Sequence, residues 1–300
     1  MRVTQLEIGR NLLTDLEKLN RSFVDVSRQY SSGKKLNNLG DSPLGSADLV
    51  DLTEQALRLE SYSFNITASK YQLSSAESVL NRANNAFVSI HALASEAANE
   101  PTNTEGRKAI LTEIEKLREE LISIGNTQVD GKYIFAGTLV DKPPFDPAGS
   151  GLDGSVYKGN QKVNSIPVGD GVKVVAGVSG DKVLGAVFKK VDEIIEAISN
   201  SVDGSGDVSA IGAALEGFKT SMDELSQARG QIGVSLSMVQ RLSELLSARN
   251  VVLKEQRSII EDANILEVSV RINQLQTAIS AAISGGGAIL QQNTLFDIIG

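Results

Sequence analysis

The feature that most constrains the fold is a stretch of about fifty residues without proline, from Ser235 to Ser284. A helix of that length would be about 75 Å long, which exceeds the width of an ordinary domain. Its apolar residues recur in steps of three and four, so they lie on one helix face and require partner helices. They are Val239, Leu242, Leu246, Leu253, Ile260, Ile265, Val268, Ile272, Leu275, Ile279 and Ala282.

This pattern predicts one long helix, but its phase shifts by about one position between Ile260 and Ile265. A shift of this kind changes the partner that the helix faces, or its local winding. Three consecutive glycines at 285–287 are predicted to break or loosen the helix, since glycine loses the most backbone entropy on folding. Gly230 and Gly233, just before the stretch, predict a kink, a tight helix crossing or a loop.

The same spacing predicts the partner helices. The first runs from Thr4 to Ser31 and ends at Gly33, a residue type that suits a helix C-cap. A second runs from Ser46 to about Asn99 and a third from Thr104 to Asn126, antiparallel to the second because the loop between them is short. Further helical stripes are predicted at 184–200 and 211–225.

The middle of the chain loses the helical period and predicts a small β-rich insertion at 133–185. Short strands are expected at 155–158, 162–168 and 172–178, with a hairpin turn at Gly169-Asp170-Gly171 between the last two. At roughly fifty residues the insertion is near the lower limit for independent stability, so it should pack on the helices or on a neighbouring subunit.

Composition argues against several classes of protein. Aromatic residues make up 4% of the chain and tryptophan is absent, so the packing must rely on aliphatic side chains, as in helix seams. The net charge of −8 argues against nucleic acid or an anionic membrane surface as a partner. No apolar run reaches the roughly 18 residues of a membrane span, and residues 1–10 lack the apolar core of a signal peptide.

No combination of residues predicts catalysis, a cofactor or a metal site. The chain has no cysteine and a single histidine, His91, which lies on a predicted helix and is interpreted as a packing or surface residue. Gly149 to Gly154 fits the Gly-x-Gly-x-x-Gly pattern, but prolines precede it and a strand should follow. A dinucleotide site needs a strand before the glycines and a helix after them, so no nucleotide site is predicted.

Several segments, in this order, resemble the bacterial flagellin family. They are Ser31-Ser32-Gly33-Lys34-Lys35-Leu36-Asn37, Asp41-Ser42-Pro43-Leu44-Gly45, Ala228-Arg229-Gly230-Gln231-Ile232-Gly233, Ser258-Ile259-Ile260-Glu261-Asp262-Ala263-Asn264 and Gln274-Leu275-Gln276-Thr277-Ala278. Asp41-Ser42 stands where the family usually has paired aspartates, and Asn264 stands where it usually has Asp. Gly131-Lys132-Tyr133-Ile134-Phe135-Ala136-Gly137 resembles the members of the family that lie between hook and filament.

The resemblance implies a mainly α fold: an elongated helical bundle with N- and C-terminal coiled-coil helices and the small β-rich middle insertion. The expected domains are a terminal coiled-coil assembly domain (1–40 with 265–300), a helical bundle (41–132 with 186–264) and an outer domain (133–185). The implied function is that of a structural, non-enzymatic subunit of the bacterial flagellum that joins hook to filament. The alternative within the family is the filament subunit, and outside it an intracellular coiled-coil scaffold.

The implied partners are copies of the chain in a helical ring, a hook-associated protein on the hook side, flagellin on the filament side and an export chaperone, without nucleic acid or membrane. The expected location is the extracellular flagellum, reached without a cleaved signal peptide. We expect the terminal stripes to be buried little within one subunit and to form the assembly interface. Its predicted residues are Ile8, Leu12, Leu16, Leu19, Phe23, Ile265, Val268, Ile272, Leu275 and Ile279.

Overall fold

A computed structural model of the chain describes residues 2–38, 40–99, 103–175, 177–204 and 208–291. Within them lie six α-helices and four short strands, and a single π-helical turn, Asp181–Gly185, leads into α4. The helices are α1 (Arg2–Ser32), α2 (Pro43–Ala97), α3 (Thr104–Gly125), α4 (Ala186–Val202), α5 (Val208–Glu261) and α6 (Ile265–Gln291). The strands are β1 (Gln128–Val129), β2 (Lys132–Tyr133), β3 (Ser165–Gly169) and β4 (Val172–Val175). The prediction of a mainly α fold is confirmed.

The long C-terminal helix is two helices, so the prediction of one continuous helix is wrong. The break at Asp262-Ala263-Asn264 coincides with the phase shift in the apolar pattern. Asn264 begins α6, because its side-chain oxygen accepts hydrogen bonds from the backbone N–H groups of Leu266 and Glu267, at 3.2 and 3.4 Å. These bonds satisfy amides that have no partner inside the helix.

Glycine interrupts neither of the two C-terminal helices. Helix α5 passes through Gly230 and Gly233, where the buried side chain of Ile232 holds the helix against its neighbours. Helix α6 passes through 285–287, so the expected break there is also absent. By contrast Gly33 ends α1 as predicted, with a φ of 69° and its N–H donating to the Gln29 carbonyl at 2.9 Å.

The chain forms two compact units: unit 1 comprises 1–58 with 248–300, and unit 2 comprises 59–247. Unit 2 holds an extensive apolar core, in which the rings of Phe87 and Phe218 lie 5.3 Å apart. The His91 ring stacks on Phe218, so this histidine packs as predicted. Hydrogen bonds from Lys70 to Gln240 (3.0 Å) and from Arg229 to Glu77 (2.7 Å) show that α2 and α5 run antiparallel there.

The strands form two separate antiparallel hairpins, β1–β2 and β3–β4. The predicted turn at 169–171 is confirmed, with Gly171 at a φ of 73°. The strand predicted at 155–158 is wrong: Tyr157 makes one isolated bridge with Phe145, and its hydroxyl donates to loop carbonyls. The β3–β4 hairpin docks on α2, where the Asn65 amide donates to the Pro167 carbonyl at 2.8 Å.

The glycine-rich loop at 149–154 lies against a largely buried ion pair between two helices. Arg118 of α3 and Asp192 of α4 pair with side chains that are 15% and 10% exposed. The Arg118 guanidinium also donates to the Gly149 carbonyl at 2.7 Å, and the Gly151 N–H donates to the Asp192 carboxylate at 2.6 Å. Because the Gly151 amide and the Arg118 guanidinium both donate to the Asp192 carboxylate, and Arg118 also donates to the loop, the loop is fixed to both helices.

We expect Arg118→Ala to lower the free energy of unfolding by about 3–5 kcal/mol, because it leaves the buried Asp192 carboxylate without its counter-charge. Urea unfolding followed by circular dichroism measures this change. The matched control is Arg58→Ala, which removes the exposed ion pair with Glu54 and should cost less than about 1 kcal/mol. Equal losses in the two variants would contradict a structural role for the buried pair.

Candidate assembly interface

The two terminal helices, α1 and α6, pack on each other within unit 1. They approach closely at Gly286, where an added Cβ atom would overlap the terminal methyl carbon of Leu12. Gly285 and Gly287 face open space. The middle glycine thus admits the leucine of α1, which explains why a glycine triplet lies inside a helix that it does not break.

The predicted interface residues of α1 lie partly inside this contact: Leu12, Leu16, Leu19 and Phe23 are half-buried. On α6, Val268 is buried, Ile272, Leu275 and Ile279 are half-buried, and Ile265 is exposed. The side chain of Ile8 lies outside the described part of the structure. The stripes are therefore covered in part within one chain, more than we expected from the sequence.

Sequence reasoning missed a second set of apolar side chains on the same two helices. These side chains are large and exposed, and they lie beside the predicted stripe instead of on it. They are Leu13, Val24, Leu266, Val270 and Ile283. Their spacing hid them, since only the intervals from Leu13 to Val24 and from Leu266 to Val270 keep a helical face and neither continues into a longer stripe. The exposed apolar surface of α1 and α6 is thus wider than one seam.

A short backbone pairing, which we term the clasp, joins the end of α1 to the break between α5 and α6. The Lys35 N–H donates to the Glu261 carbonyl at 2.6 Å, and the Ala263 N–H donates to the Gly33 carbonyl at 2.9 Å. The Lys34 ammonium pairs with the Glu261 carboxylate. The clasp brings together two of the segments that carry the family resemblance, although some 230 residues separate them.

Two side chains build the turn between α1 and α2. The Asp41 carboxylate accepts hydrogen bonds from the Asn37 and Asn38 N–H groups at 2.9 and 2.8 Å, and these bonds lower the pKa of Asp41. The Ser42 hydroxyl accepts from the Gly45 N–H at 3.2 Å and so caps α2, whose first residue is proline. Serine therefore performs a capping role where the family usually has a second aspartate.

The described residues offer nothing that would bind a metal through three or more His, Cys, Asp or Glu side chains. Among the helices that the structure describes, none carries an apolar stretch long enough to span a bilayer. The terminal helices contact each other through apolar side chains, are joined at the clasp and expose further apolar side chains to solvent. This arrangement is suited to protein–protein contact.

We expect Gly287→Ala to stabilise α6 by up to about 1 kcal/mol, because alanine is the better helix former and its Cβ meets open space. Gly286→Ala should be at least about 1 kcal/mol worse than Gly287→Ala, because its Cβ must displace Leu12. Hydrogen–deuterium exchange of the α6 amides measures both effects. Equal protection in the two variants would show that α1 does not approach α6 at Gly286.

The clasp should weaken in acid. Lys34 holds the pKa of Glu261 below its ordinary value of 4.5. The stabilisation that the ionised Glu261 carboxylate contributes is therefore complete above pH 4.5, and it is lost as the pH falls through the lowered pKa. We expect Glu261→Gln to lower the thermal midpoint at pH 7 and the difference from the unchanged chain to vanish in acid. Glu17→Gln, at an exposed pair with Arg21, is the control and should have little effect at either pH.

Comparison with known proteins places these features in a family. Residues 4–139 match the bacterial flagellin N-terminal helical region, and residues 215–294 match the bacterial flagellin C-terminal helical region. Flagellar hook-associated protein 3 of Salmonella typhimurium is 24% identical over 305 residues, which cover 94% of this chain and 95% of that protein. The protein of the same name from Escherichia coli is 25% identical over 283 residues, covering 87% and 88%.

A solved structure shares the fold as well. The crystal structure of Bacillus cereus FlgL superimposes with a TM-score of 0.59 at 24% identity and covers 69% of this chain and 99% of that one. The resemblance found in the sequence is confirmed, since both matched regions contain the segments that carry it. From the order and extent of the two matched regions, the chain belongs to the bacterial flagellin family.

Proposed function

We propose that this chain is a structural subunit of the bacterial flagellum that joins hook to filament and assembles through α1 and α6. The similarity to proteins named flagellar hook-associated protein 3 supports the part of the proposal that associates the chain with the hook. The proposed partners are neighbouring copies in a helical ring, a hook-associated protein on one side, flagellin on the other and an export chaperone. Under this proposal the chain leaves the cell without a cleaved signal peptide and is not an enzyme.

The observation that carries the proposal is the poor burial of unit 1. Among its described residues the buried apolar side chains are Val26, Leu52, Leu253 and Val268. Far more of its large apolar side chains are exposed: Leu13, Val24, Tyr30, Leu44, Val50, Leu57, Val251, Val252, Ile259, Ile265, Leu266, Val270 and Ile283. A region with so much apolar surface in water gains most of its stabilisation when neighbouring molecules cover that surface.

The composition and the charges of α1 and α6 are consistent with packing on the same helices of another copy of the chain. The apolar residues of α1 and α6 are aliphatic apart from Phe23 and Tyr30, so they can interlock with equivalent helices of another copy. The ion pairs of α1 are exposed and join residues three or four positions apart: Asp15 with Lys18, Glu17 with Arg21 and Asp25 with Arg28. They impose no charge that would oppose a second copy of the helix.

We expect the double variant Leu266→Asn with Val270→Asn to leave the thermal midpoint of the free chain nearly unchanged, because both side chains are exposed. It should reduce incorporation into flagella about a hundredfold, since two apolar side chains each lose roughly 1.5 kcal/mol of burial per copy. Immunoblots of flagella isolated from cells that carry each variant measure incorporation. Gln274→Asn, exposed on the same helix, is the control and should incorporate normally.

Normal incorporation of the double variant would overturn assembly through α6. The behaviour of the purified chain distinguishes a junction subunit from the alternative, a filament subunit. A filament subunit polymerises alone into long filaments, whereas a junction subunit adds to isolated hooks and then supports the addition of flagellin. Electron microscopy of the purified chain, with and without isolated hooks, distinguishes the two outcomes.

A further inference from the structure

A groove in unit 2, which we term the hairpin groove, lies between helix α2 and the two β-hairpins. Its volume is about 560 Å³, which is within the range of about 300–1,000 Å³ that is usual for small-molecule sites. The lining residues come from the stretches 68–72, 129–140, 163–167 and 177–178. All of them belong to unit 2, so the groove is part of one compact folded body.

Two tyrosines line the hairpin groove, one from α2 and one from β2. Tyr71 is 55% exposed, and Tyr133 is half-buried. Apolar side chains of the two hairpin regions lie beside them, among them Val129, Val163 and Ile166. An exposed aromatic ring in a concave site offers a flat apolar face on which a ligand can pack. The groove therefore suits a ligand that has an apolar face of its own.

The same groove contains polar groups that the chain does not use. The side-chain amides of Gln72 and Asn164 and the hydroxyl of Ser165 line it. Within the part of the chain that the structure describes, these three side chains form no hydrogen bond with another residue. A purely apolar ligand would remove them from water without replacing the hydrogen bonds that they make there, which is unfavourable. The ligand therefore has to carry donors and acceptors.

The charges of the groove favour a neutral ligand. One acidic and one basic side chain, Asp130 and Lys132, line it, so the lining has no net charge. An anion would in addition approach a chain whose net charge is −8. A cation would find a single carboxylate with an ammonium group only two positions away along the chain. Neither sign of charge is selected.

A peptide fits the groove poorly in either regular conformation. Pro167, in the strand that borders the groove, has no N–H, and its carbonyl already accepts a hydrogen bond from the Asn65 amide at 2.8 Å. Both partners would be missing for a peptide strand added to β3, which is five residues long. A helix is too wide, because about 560 Å³ holds little more than one turn of a helix about 10 Å across.

We propose that the hairpin groove binds a short neutral oligosaccharide. A sugar ring has an apolar face that packs on a tyrosine ring, and its hydroxyl groups both donate and accept, as the free amides of Gln72 and Asn164 require. This inference goes beyond the proposed function. The groove lies in unit 2, whereas the proposed assembly uses α1 and α6 of unit 1.

Titration of the isotope-labelled full chain with maltotriose, cellotriose and chitotriose, followed by NMR, tests the proposal. We expect at least one of these neutral trisaccharides to bind with a Kd of about 1 mM or tighter. Binding should shift the backbone amide signals of Gln72, Tyr133 and Asn164. Trigalacturonate, which is anionic, should bind at least about fivefold more weakly, because the lining offers it no excess of positive charge.

Tyr71→Ala should weaken binding of the best trisaccharide at least about tenfold, because it removes an apolar face of the groove. Tyr71→Phe keeps the ring and should bind within about threefold of the unchanged chain. Asn164→Ala removes a free amide and should weaken binding about threefold or more. The matched control is Tyr30→Ala, which removes a tyrosine that is 51% exposed in unit 1 and should leave binding unchanged.

The thermal midpoints of Tyr71→Ala and Asn164→Ala should stay close to that of the unchanged chain, because both side chains are exposed. Absence of binding by all the neutral trisaccharides would overturn the inference. Tighter binding of trigalacturonate, or equal weakening by Tyr71→Ala and Tyr30→Ala, would overturn it as well. A chain that enters flagella but binds no sugar would leave the proposed function intact, whereas a chain that binds sugar but is absent from flagella would overturn only that function.

Discussion

The structure of unit 1 depends on the clasp, in which the backbone after α1 pairs with the backbone between α5 and α6. The hydrogen bonds of Gly33 and Lys35 to the Glu261–Ala263 segment hold the beginning of α6 next to the end of α1. The clasp supplies strand-like pairing where the helical backbone is interrupted, and it gives the Glu261 carbonyl and the Ala263 amide hydrogen-bond partners. The α1–α6 contact and the fit of Leu12 against Gly286 follow from that alignment.

The two units are stabilised in different ways. Unit 2 has an apolar core of its own, with the Phe87–Phe218 contact and the buried Arg118–Asp192 pair that fixes the glycine-rich loop. Unit 1 buries few apolar side chains and exposes many, which is unfavourable for an isolated domain but favourable for a subunit. The proposed assembly would cover the exposed apolar side chains of unit 1 with those of neighbouring copies.

Much of the fold could be predicted from the sequence because helical periodicity depends on local spacing. The existence of α1, α2 and α3, the end of α1 at Gly33 and the turn at Gly171 were all predictable in this way. The errors share one cause. The break at Asp262–Asn264, the continuity of α6 through Gly286 and the missing strand at 155–158 depend on contacts with distant residues, which local spacing does not contain. Of the candidate interface, the assembly role of the predicted stripe stays a prediction, and the exposed residues beside it, such as Leu266, became apparent only from their exposure in the fold.

The sequence by itself decided that this chain would be mainly helical and belong to the flagellin family. Those properties follow from periodicity and from ordered motifs, and neither of them requires a partner in space. Only the tertiary structure decided which apolar faces are covered and which remain exposed. An apolar residue such as Val252 has the same character as its buried neighbour Leu253, and the difference in burial arises from the position of the surrounding helices.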